Sequence, residues 1–516
     1  MSLPVVATLS CRAQVGLEAP LVHVEVTVTC GLPAFHLVGL PATVVRESRD
    51  RVQAALLCSG FEYPAGRIVV NLAPAEIPKE GGRFELPIAL GILIASGQLR
   101  PSLYDALPCE LYGELGLGGE IKPVRGILLA AAHASRDGHE LIVPAANAAE
   151  ALIAATTPVR AASHLKEVCR HFAGEETLRP HTPMRRAGSQ QRHCAAVPDL
   201  SDVRGQFQAK RALLIAAAGS HSLLLIGPPG CGKSMLAQRL PGLLPPLSGA
   251  EALDCAAIAS VSAAGFNTGG FGQRPFRSPH HTASAVALVG GGTQARPGEI
   301  SLAHHGVLFL DELPEFERQV LEALREPLET GVVRVARAAA HADYPAEFQL
   351  IAAMNPCPCG YLGDPGGTCR CLPAQAQRYR GRVSGPLLDR LDMHVQVPRL
   401  EVGDFDDRLG RGKSSAVLAA RVAATRERQL ARQGRCNARL SDAQIERCCS
   451  MQPRARALLD HTMRTLRFSG RTRQRILKLA RTIADLDGGD TIADTHVSEA
   501  VMQRCLDRER VTSSCR

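Results

Sequence analysis

Alternation of apolar and polar positions predicts the elements of the first third of the chain. Residues 22–28 place an apolar side chain at every second position, which is typical of a strand with one buried face. Residues 67–72 and 140–143 predict two more strands, whereas the apolar stretches at 86–96 and 126–134 are typical of helices. Strands and helices mixed in this way predict an α/β or α+β domain.

Short, mainly apolar runs mark the middle of the chain, at residues 222–226, 307–310 and 348–353. Runs of this length, separated by polar helical stretches, are typical of buried strands in a mainly parallel sheet. The last part of the chain has almost no strand signal, and its apolar residues recur with helical spacing. Five helices of a bundle are predicted there, at residues 416–432, 442–450, 453–467, 473–485 and 495–508.

A change in composition separates these parts into domains. Residues 179–197 lose all periodicity and collect Pro, Arg, Ser and Gln, which predicts a linker. We therefore predict a front domain at 1–178, a core domain at 198–402 and a helical lid at 403–516. The length of 516 residues agrees with this division, because domains average about 150 residues.

Composition and charge narrow the function classes. With 45% hydrophobic and 21% charged residues, the chain has enough apolar material for several cores, which excludes disorder as its main state. The net charge of +9 is concentrated near the end, since residues 401–516 hold 23 Lys and Arg against 15 Asp and Glu. This excess predicts either a solvated helix face or a surface that binds nucleic-acid phosphates. Its densest part comprises Arg464, Arg467, Arg471, Arg473, Arg475, Lys478 and Arg481.

The first residues and the apolar runs indicate where the protein resides. Residues 1–10 carry no Lys or Arg, so no charged region of a signal peptide is present there. The longest apolar runs are far shorter than the roughly 18 residues that a membrane-spanning helix requires. We therefore expect a cytoplasmic protein with no membrane partner, in which most of the 17 cysteines are reduced thiols.

The strongest motif follows the apolar run at 222–226 and matches the phosphate-binding pattern G-x-x-x-x-G-K-[ST]. Its glycines let backbone N–H groups face nucleotide phosphates, and the start of the next helix adds a positive dipole end. Lys233 is predicted to reach the β- and γ-phosphate oxygens of ATP, and the Ser234 hydroxyl to hold Mg²⁺. The predicted binding loop comprises Gly227, Pro228, Pro229, Gly230, Cys231, Gly232, Lys233 and Ser234.

Polar side chains follow the two other apolar runs of the core. Asp311 and Glu312 come directly after residues 307–310, at the edge where a parallel sheet would also place the P-loop. Asp311 is predicted to hold Mg²⁺ and Glu312 to polarise the attacking water, although such a pair is also common in solvated turns. Asn355 follows the third run and either senses the γ-phosphate or begins a turn before Pro356.

Four cysteines lie within a short stretch after Asn355. Cys357 and Cys359 are separated from Cys369 and Cys371 by nine residues, in a glycine-rich loop. Four thiolates form a complete tetrahedral set for structural Zn²⁺, although this spacing is tighter than the commoner C-x-x-C pairs. The sequence leaves free thiols as the alternative.

Together with further segments, these motifs resemble those of the AAA+ ATPases. Among the AAA+ ATPases they are most similar to the magnesium-chelatase-like branch, and within that branch to the ComM/YifB family. The supporting segments are residues 202–206, 277–282, 297–304, 344–348, 354–357, 387–392 and 480–486. The resemblance implies that Asn355 is the sensor-1 residue, Arg390 an arginine finger that acts on a neighbouring subunit's ATP, and Arg471 the sensor-2 residue of the lid. It also implies a ring, most simply a homo-hexamer.

The same resemblance covers the front domain and the segment before residue 307. The front domain resembles the Lon-protease domain, but Arg83 stands at the serine position and Ala130 at the lysine position, so peptidase activity is not expected. The segment with Arg274, Arg277, His280 and His281 is similar to an insert with pore-facing loops. Its histidine pair is predicted to contact DNA, to bind a metal or to be structural.

These expectations combine into an α/β protein with a P-loop AAA+ core, a C-terminal helical lid and an N-terminal Lon-protease-like α+β domain. The resemblance implies an ATP-driven ring helicase or translocase acting on single-stranded, duplex or branched DNA. It would promote branch migration during natural transformation and homologous recombination. A chelatase-type motor that drives metal insertion into a tetrapyrrole is the alternative. A non-enzymatic ATP-gated scaffold is disfavoured by the Asp311–Glu312 pair.

Overall fold

Two large sheets organise the chain, one before residue 182 and one after residue 197. The computed structural model describes residues 5–42, 45, 47–102, 108–181, 198–292, 295–337, 340–364, 369–400 and 412–507. None of the helices in these ranges combines the length and the apolar character that crossing a membrane demands.

The front sheet has eight strands in the order β10-β9-β8-β5-β1-β2-β4-β3, and a separate hairpin is formed by β6 and β7. The ten strands are β1 (Val6–Arg12), β2 (Leu21–Thr29), β3 (Ala34–Val38), β4 (Arg67–Ala73), β5 (Cys109–Leu111), β6 (Glu114–Leu115), β7 (Ile121–Lys122), β8 (Glu140–Pro144), β9 (Val159–Ala162) and β10 (Pro180–His181). The α-helices of this unit are Ser48–Cys58, Glu85–Ala95, Ile127–Asp137, Ala148–Ala154 and Leu165–Ala173.

Alternation along β2 produces the predicted half-buried strand. Val22, Val24 and Val26 are fully buried, whereas the intervening side chains lie on the other face. The antiparallel register with β1 sets Val24 opposite Leu9 and Val22 opposite Cys11, so both strands direct apolar side chains into one core. The predicted strands at 67–72 and 140–143 and the helices at 86–96 and 126–134 are likewise confirmed within a few residues.

Arg83 and Ala130, which align with the catalytic serine and lysine of Lon-type domains, have structural contacts in this unit. Arg83 is buried, and its guanidinium donates to Gln14 Oε1 at 2.9 Å and to the Arg125 carbonyl at 2.8 Å. Burial lowers the pKa of Arg83. Ala130 is fully buried in its helix. These contacts give both side chains a structural role and leave the expectation of a lost peptidase in place.

The predicted linker begins later than expected. Pro180 and His181 lie in the stretch predicted as linker, yet they form β10, which pairs antiparallel with β9. A two-residue edge strand has too few positions to show any alternation, so its sequence looks irregular. The rest of the predicted linker, 182–197, lies outside the described residues.

The second sheet is fully parallel and has the order β12-β15-β18-β11-β19. The remaining strands of the chain are β11 (Leu223–Ile226), β12 (Phe276–Arg277), β13 (Gly290–Gly291), β14 (Arg296–Pro297), β15 (Val307–Leu310), β16 (Val332–Arg337), β17 (Ala340–Pro345), β18 (Gln349–Met354) and β19 (Met393–Gln396). Strands β13 and β14 form one antiparallel pair, and β16 and β17 form another. The parallel core and its three predicted strands are thus confirmed.

Helices cover both faces of this sheet and form the last part of the chain. The core helices are Phe207–Gly219, Lys233–Arg239, Gly249–Ser260, Ala285–Val289, Glu299–Leu302, Arg318–Ala323, Arg325–Thr330, Pro373–Arg380 and Gly385–Leu388. The helical region contains Ser415–Gln433, Asp442–Cys448, Pro453–Thr465, Gly470–Asp487 and Asp494–Met502. Short 3₁₀ turns occur at Gly82–Phe84, Ala145–Asn147, Leu200–Asp202, Leu240–Leu243, Thr268–Gly270, Leu313–Glu315 and Asn437–Arg439.

One face of the parallel sheet and the helical region share a single hydrophobic core. Leu223 and Leu225 of β11 pack in one cluster with Val422 and Ile483 of the helical region. Leu224, the intervening strand residue, belongs to the cluster on the opposite face. Because both faces of β11 are buried, the strand is a continuous apolar run, as parallel strands usually are. The helical region is therefore anchored on the core.

Part of the predicted basic surface is internal. Arg481 is 1% exposed and donates to Asp485 Oδ1 at 3.1 Å and to the Asp490 carbonyl at 2.7 Å. Lys478 donates to the Ala438 carbonyl at 3.1 Å, and burial lowers its pKa. Arg481 stabilises the helical region from inside, so the prediction that it lies on a basic face is wrong, whereas Lys478 is half-buried. Helical periodicity turns every third or fourth residue of that segment towards the core.

Candidate nucleotide-binding site

The loop between β11 and the helix Lys233–Arg239 has the backbone that its glycines allow. Gly230 and Gly232 have φ angles of 76° and 91°, in the left-handed region that favours glycine. At Gly227 a Cβ atom would lie 2.1 Å from the Val397 carbonyl oxygen, so only glycine fits against the end of β19. The loop therefore turns sharply at the carboxyl edge of the sheet and leads into a helix start, a geometry that suits phosphate groups.

Lys233 is held by the loop that it is predicted to serve. The side chain is 8% exposed, and Nζ donates to the carbonyls of Gly227 at 2.7 Å and Pro228 at 2.9 Å and to Asn355 Oδ1 at 3.1 Å. Burial lowers the pKa of Lys233. The contact with Asn355 connects the end of β18 to the P-loop, so the structure brings these two predicted residues together.

Ser234 and Asp311 meet as the sequence predicts. Ser234 Oγ donates to Asp311 Oδ2 at 2.6 Å, across the gap between the P-loop helix and the end of β15. The other carboxylate oxygen of Asp311 accepts from the Glu312 backbone N–H at 2.9 Å. A hydroxyl and a carboxylate oxygen side by side are hard oxygen ligands of the kind that Mg²⁺ prefers. The donor set thus fits Mg²⁺ bound together with a nucleotide.

Glu312 occupies an unusual backbone conformation beside a histidine. Its φ is 51°, which is rare for a residue with a Cβ atom and is often found at functional sites. Its carboxylate is half exposed, and His281 Nδ1 lies 3.2 Å from Oε2. The predictions for His281 were a DNA contact, a metal ligand or a structural role, and none of them anticipated this contact with Glu312.

The segment that precedes β15 is partly structural. Arg274 is largely buried and donates to the carbonyls of Pro245 at 2.6 Å and His305 at 2.5 Å. Arg277 forms a two-pronged ion pair with Glu299, with both N–O distances at 2.6 Å. Both guanidinium groups already have protein partners, because this segment forms the edge strand β12 and its connections.

Arg390 lies at the opposite end of the sheet from the P-loop of its own chain. Its backbone carbonyl accepts from Ser222, the residue before β11, at 3.5 Å. The guanidinium pairs with Glu329 at 2.6 Å and donates to the Pro386 carbonyl at 2.9 Å. The four residues of β11, about 13 Å of extended chain, separate this end from the P-loop.

Arg471 lies in the same half of the molecule as Arg390. It is exposed in the first turn of the helix Gly470–Asp487. One turn further on, Arg475 pairs with Asp392 at 2.5 Å, and Asp392 accepts from the Ser222 backbone N–H at 3.0 Å. The structure therefore does not join either predicted arginine to the P-loop of its own chain.

The four predicted cysteine ligands converge. Cys357 Sγ lies 3.4 Å from Cys359 Sγ and 3.7 Å from Cys369 Sγ, and all four sulfur atoms, including that of Cys371, lie within 4.8 Å of one another. Backbone N–H groups of Tyr361 and Arg370 lower the pKa of the Cys359 thiol to about 6. Such donors stabilise a thiolate, the form that binds metals.

Two residues near the P-loop were missed by the sequence analysis. Gln206 is buried, and its Nε2 donates to the carbonyls of Cys231 at 3.3 Å and Pro398 at 2.7 Å, which ties the P-loop to the chain after β19. Gly360, next to Cys359, packs so closely on Pro229 that a Cβ atom would lie 2.5 Å from the proline Cδ. Only the position of Gln206 in a family-like segment hinted at its importance.

Comparisons with known proteins agree with this architecture. Three family models match: "Magnesium chelatase, subunit ChlI" over residues 199–405, "Subunit ChlI of Mg-chelatase" over 24–147, and "Magnesium chelatase, subunit ChlI C-terminal" over 412–504. The chain is 48% identical to YifB of Salmonella typhimurium and 47% identical to the competence protein ComM of Haemophilus influenzae. Each comparison covers 98% of both chains.

The chain belongs to the ComM/YifB family of magnesium-chelatase-like proteins. The predicted family and the α/β fold class are thereby confirmed. This chain is also 28% identical to the magnesium-chelatase 38 kDa subunit of Cereibacter sphaeroides, over 38% of its own length and 58% of that subunit. This pairwise match covers only part of each chain, whereas the three chelatase family models together span most of residues 24–504.

Proposed function

We propose that this protein is an ATPase whose ring-shaped assembly moves along DNA and drives branch migration. The observation that carries the proposal is the assembly of Lys233, Ser234, Asp311, Glu312 and Asn355 at one edge of a parallel sheet. These groups supply a cation for phosphates, ligands for Mg²⁺, a carboxylate for water and an amide for the γ-phosphate.

The residues of this edge would divide the work of ATP hydrolysis. Lys233 would exchange its loop carbonyls for phosphate oxygens, while Ser234 and Asp311 hold Mg²⁺, which neutralises charge on those oxygens when bound. Glu312 would orient and polarise the attacking water, since its carboxylate extends from the strained turn after β15. Asn355 keeps its contact with Lys233 and would report the state of the γ-phosphate.

The position of Arg390 supports a ring. A guanidinium at the sheet end opposite the P-loop cannot serve the nucleotide of its own chain, but it can face the P-loop of an adjacent copy. Arg471, at the same end, is proposed to act with it. An arginine supplied by a neighbour stabilises charge on the transferred phosphoryl group and makes hydrolysis depend on assembly. We propose a homo-hexamer.

DNA is the proposed track of this motor. The similar protein from Haemophilus influenzae is called a competence protein, which points to processing of incoming DNA in natural transformation. Arg464, Arg467 and Arg471 are exposed on the helical region, where the basic excess is concentrated. Contacts with phosphates would make binding weaken steeply with added salt, and no tryptophan is available for base stacking.

A metal-insertion motor acting on a tetrapyrrole is the second candidate, favoured by the partial identity to the magnesium-chelatase subunit. Steady-state ATPase activity separates the two. We expect stimulation by single-stranded or branched DNA, lost as salt is raised from about 50 to 200 mM. Heparin serves as the polyanion control and should not substitute for DNA. Absence of DNA binding and stimulation would refute the DNA motor and favour the chelatase-type function.

A further inference from the structure

The four-cysteine cluster has the size and composition of a closed metal site. In a tetrahedron with Zn–S bonds of about 2.3 Å, neighbouring sulfur atoms are about 3.8 Å apart. The observed separations of Cys357, Cys359 and Cys369 are 3.4, 3.7 and 3.7 Å. They are much too long for a disulfide bond, whose sulfur atoms are about 2.05 Å apart. The fourth sulfur, from Cys371, completes the set.

This cluster is attached to the predicted nucleotide site at two points. Cys357 is only two residues beyond Asn355, whose amide oxygen accepts from Lys233. Gly360 turns back after Cys359, donating its N–H to the Cys357 carbonyl at 2.9 Å, and its α-carbon lies against the ring of Pro229 in the P-loop. The described part of the cysteine loop therefore supports the P-loop from outside, through the contact of Gly360 with Pro229.

We propose that Cys357, Cys359, Cys369 and Cys371 bind one structural zinc ion, and that this ion fixes the loop on which Asn355 and the P-loop rest. Between the two cysteine pairs the sequence carries four glycines and few apolar residues, so we expect little stabilisation of this stretch by hydrophobic packing. Four bonds to one ion would fix the ends of the loop relative to each other. The metal assignment is independent of the proposed ATPase, whereas its effect on nucleotide binding rests on that function.

Metal content tests the first part. The full-length protein, made in zinc-containing medium and purified without a metal-affinity step, is analysed for zinc and iron by mass spectrometry. We expect about one zinc and almost no iron per chain. Cys369→Ser should lose the zinc, whereas Cys58→Ser, which changes an exposed thiol of the front unit, should keep it. Cys371→His should retain zinc, because a Cys₃His set also binds it.

Several results would overturn the metal assignment. Wild-type protein without zinc, or with iron in its place, contradicts it, as does a Cys369→Ser variant that keeps a full equivalent of zinc. If Cys369→Ser fails to fold, zinc release from the wild-type protein by a thiol-modifying mercurial decides instead. Release of one zinc per chain supports the site, and release of none refutes it.

A matched pair of glycines tests the connection to the P-loop. Gly360 and Gly363 have φ angles of 86° and 83°, so Ala strains the backbone equally at both, but a Cβ at Gly363 would meet open space. Gly360→Ala should weaken binding of a fluorescent ATP analogue about tenfold relative to Gly363→Ala, with zinc content unchanged. Equal affinities in the two variants refute the connection. Failure of the wild-type protein to bind the analogue refutes the proposed ATPase and leaves the zinc result standing.

Discussion

Replacing Asp392 by Asn tests how the helical region is fixed to the core. The Asp392 carboxylate is 6% exposed and accepts from the Ser222 backbone N–H at 3.0 Å and from Ser222 Oγ at 3.1 Å. Both contacts with Ser222 involve Asp392 Oδ2, and His221 Nδ1 lies 3.5 Å from the same oxygen. Arg475 of the helical region lies 2.5 Å from the other oxygen, Asp392 Oδ1. Asn keeps the shape and can keep part of the contact with Ser222, but it leaves Arg475 without its counter-charge.

The expected loss follows from the burial of this pair. Removing one partner of a fully buried ion pair costs about 3–5 kcal/mol. The Arg475 side chain retains 23% of its exposure, so water offsets part of the cost and about 2–3 kcal/mol is expected here. Because the core domain and the helical region share one core of roughly 300 residues, the melting temperature should fall by about 3–5 °C. Asp460→Asn, an exposed change in the same region, should leave the melting temperature unchanged.

The same residue predicts a pH dependence. Burial alone would raise the pKa of Asp392, but Arg475 and then His221 hold it well below its ordinary value. A carboxylate whose pKa is lower in the folded state than in the unfolded state stabilises the fold at pH values above its unfolded-state pKa, near 3.9. This stabilisation is lost as the pH falls from the unfolded-state pKa through the folded-state pKa. The difference in melting temperature between wild type and Asp392→Asn should be constant above about pH 5 and narrow below about pH 4.

Asp392→Asn should lower ATP turnover much more than it weakens nucleotide binding. Asp392 is two residues from Arg390 and lies at the sheet end opposite the P-loop, so binding of a fluorescent ATP analogue should change less than about threefold. ATP turnover should fall about tenfold or more, because Arg390 is proposed to act on the transferred phosphoryl group and small displacements of such a group are costly. A variant that melts within about 1 °C of the wild type at neutral pH would refute the reasoning about the pair.

Three other predictions concern the nucleotide site itself. Glu312→Gln should lower ATP turnover by about 10²–10⁴-fold while nucleotide binding is retained, and the exposed Glu317→Gln should leave turnover unchanged. If Glu312→Gln and the wild type release phosphate at equal rates, the proposed role of Glu312 is contradicted. Lys233→Ala should abolish binding of the ATP analogue, because it removes a buried cation that has three hydrogen-bond acceptors. Tight binding of the analogue by this variant in a filter assay would contradict the prediction. Mixing equal amounts of Arg390→Ala and Glu312→Gln subunits should restore up to about a quarter of wild-type turnover, because about that fraction of interfaces pairs an intact Glu312 with an intact Arg390 of the neighbour. No recovery means that the arginine does not act across subunits.

Much of the parallel core could be predicted because its strands are buried on both faces. A buried strand such as β11 needs apolar residues at every position, and this leaves an unmistakable run in the sequence. Strands β12 and β19 escaped detection for the opposite reason. β12 has only two residues, and β19 has only four, of which His394 and Gln396 are polar, so neither shows a continuous apolar run.

The carboxylates of the candidate nucleotide site were predictable, but their surroundings were not. Asp311 and Ser234 are identified by motifs that fix their backbone positions, and the structure joins them at 2.6 Å. His281 and Gly360 reach the site only through tertiary packing, which no local pattern encodes. For Arg481 the sequence analysis predicted an exposed side chain, and this prediction is wrong. Local charge density suggested a surface, whereas its position on the inner face of a long helix buries it.

The central claim is that ATP hydrolysis by this protein moves branched DNA. The most direct measurement uses a four-way junction with homologous arms, labelled so that branch migration releases two fluorescent duplexes, beside a junction whose core sequence prevents movement. We predict release that requires ATP, occurs only with the movable junction and is lost in Glu312→Gln. Release from neither junction, despite DNA-stimulated ATP hydrolysis by the wild-type protein, would contradict it.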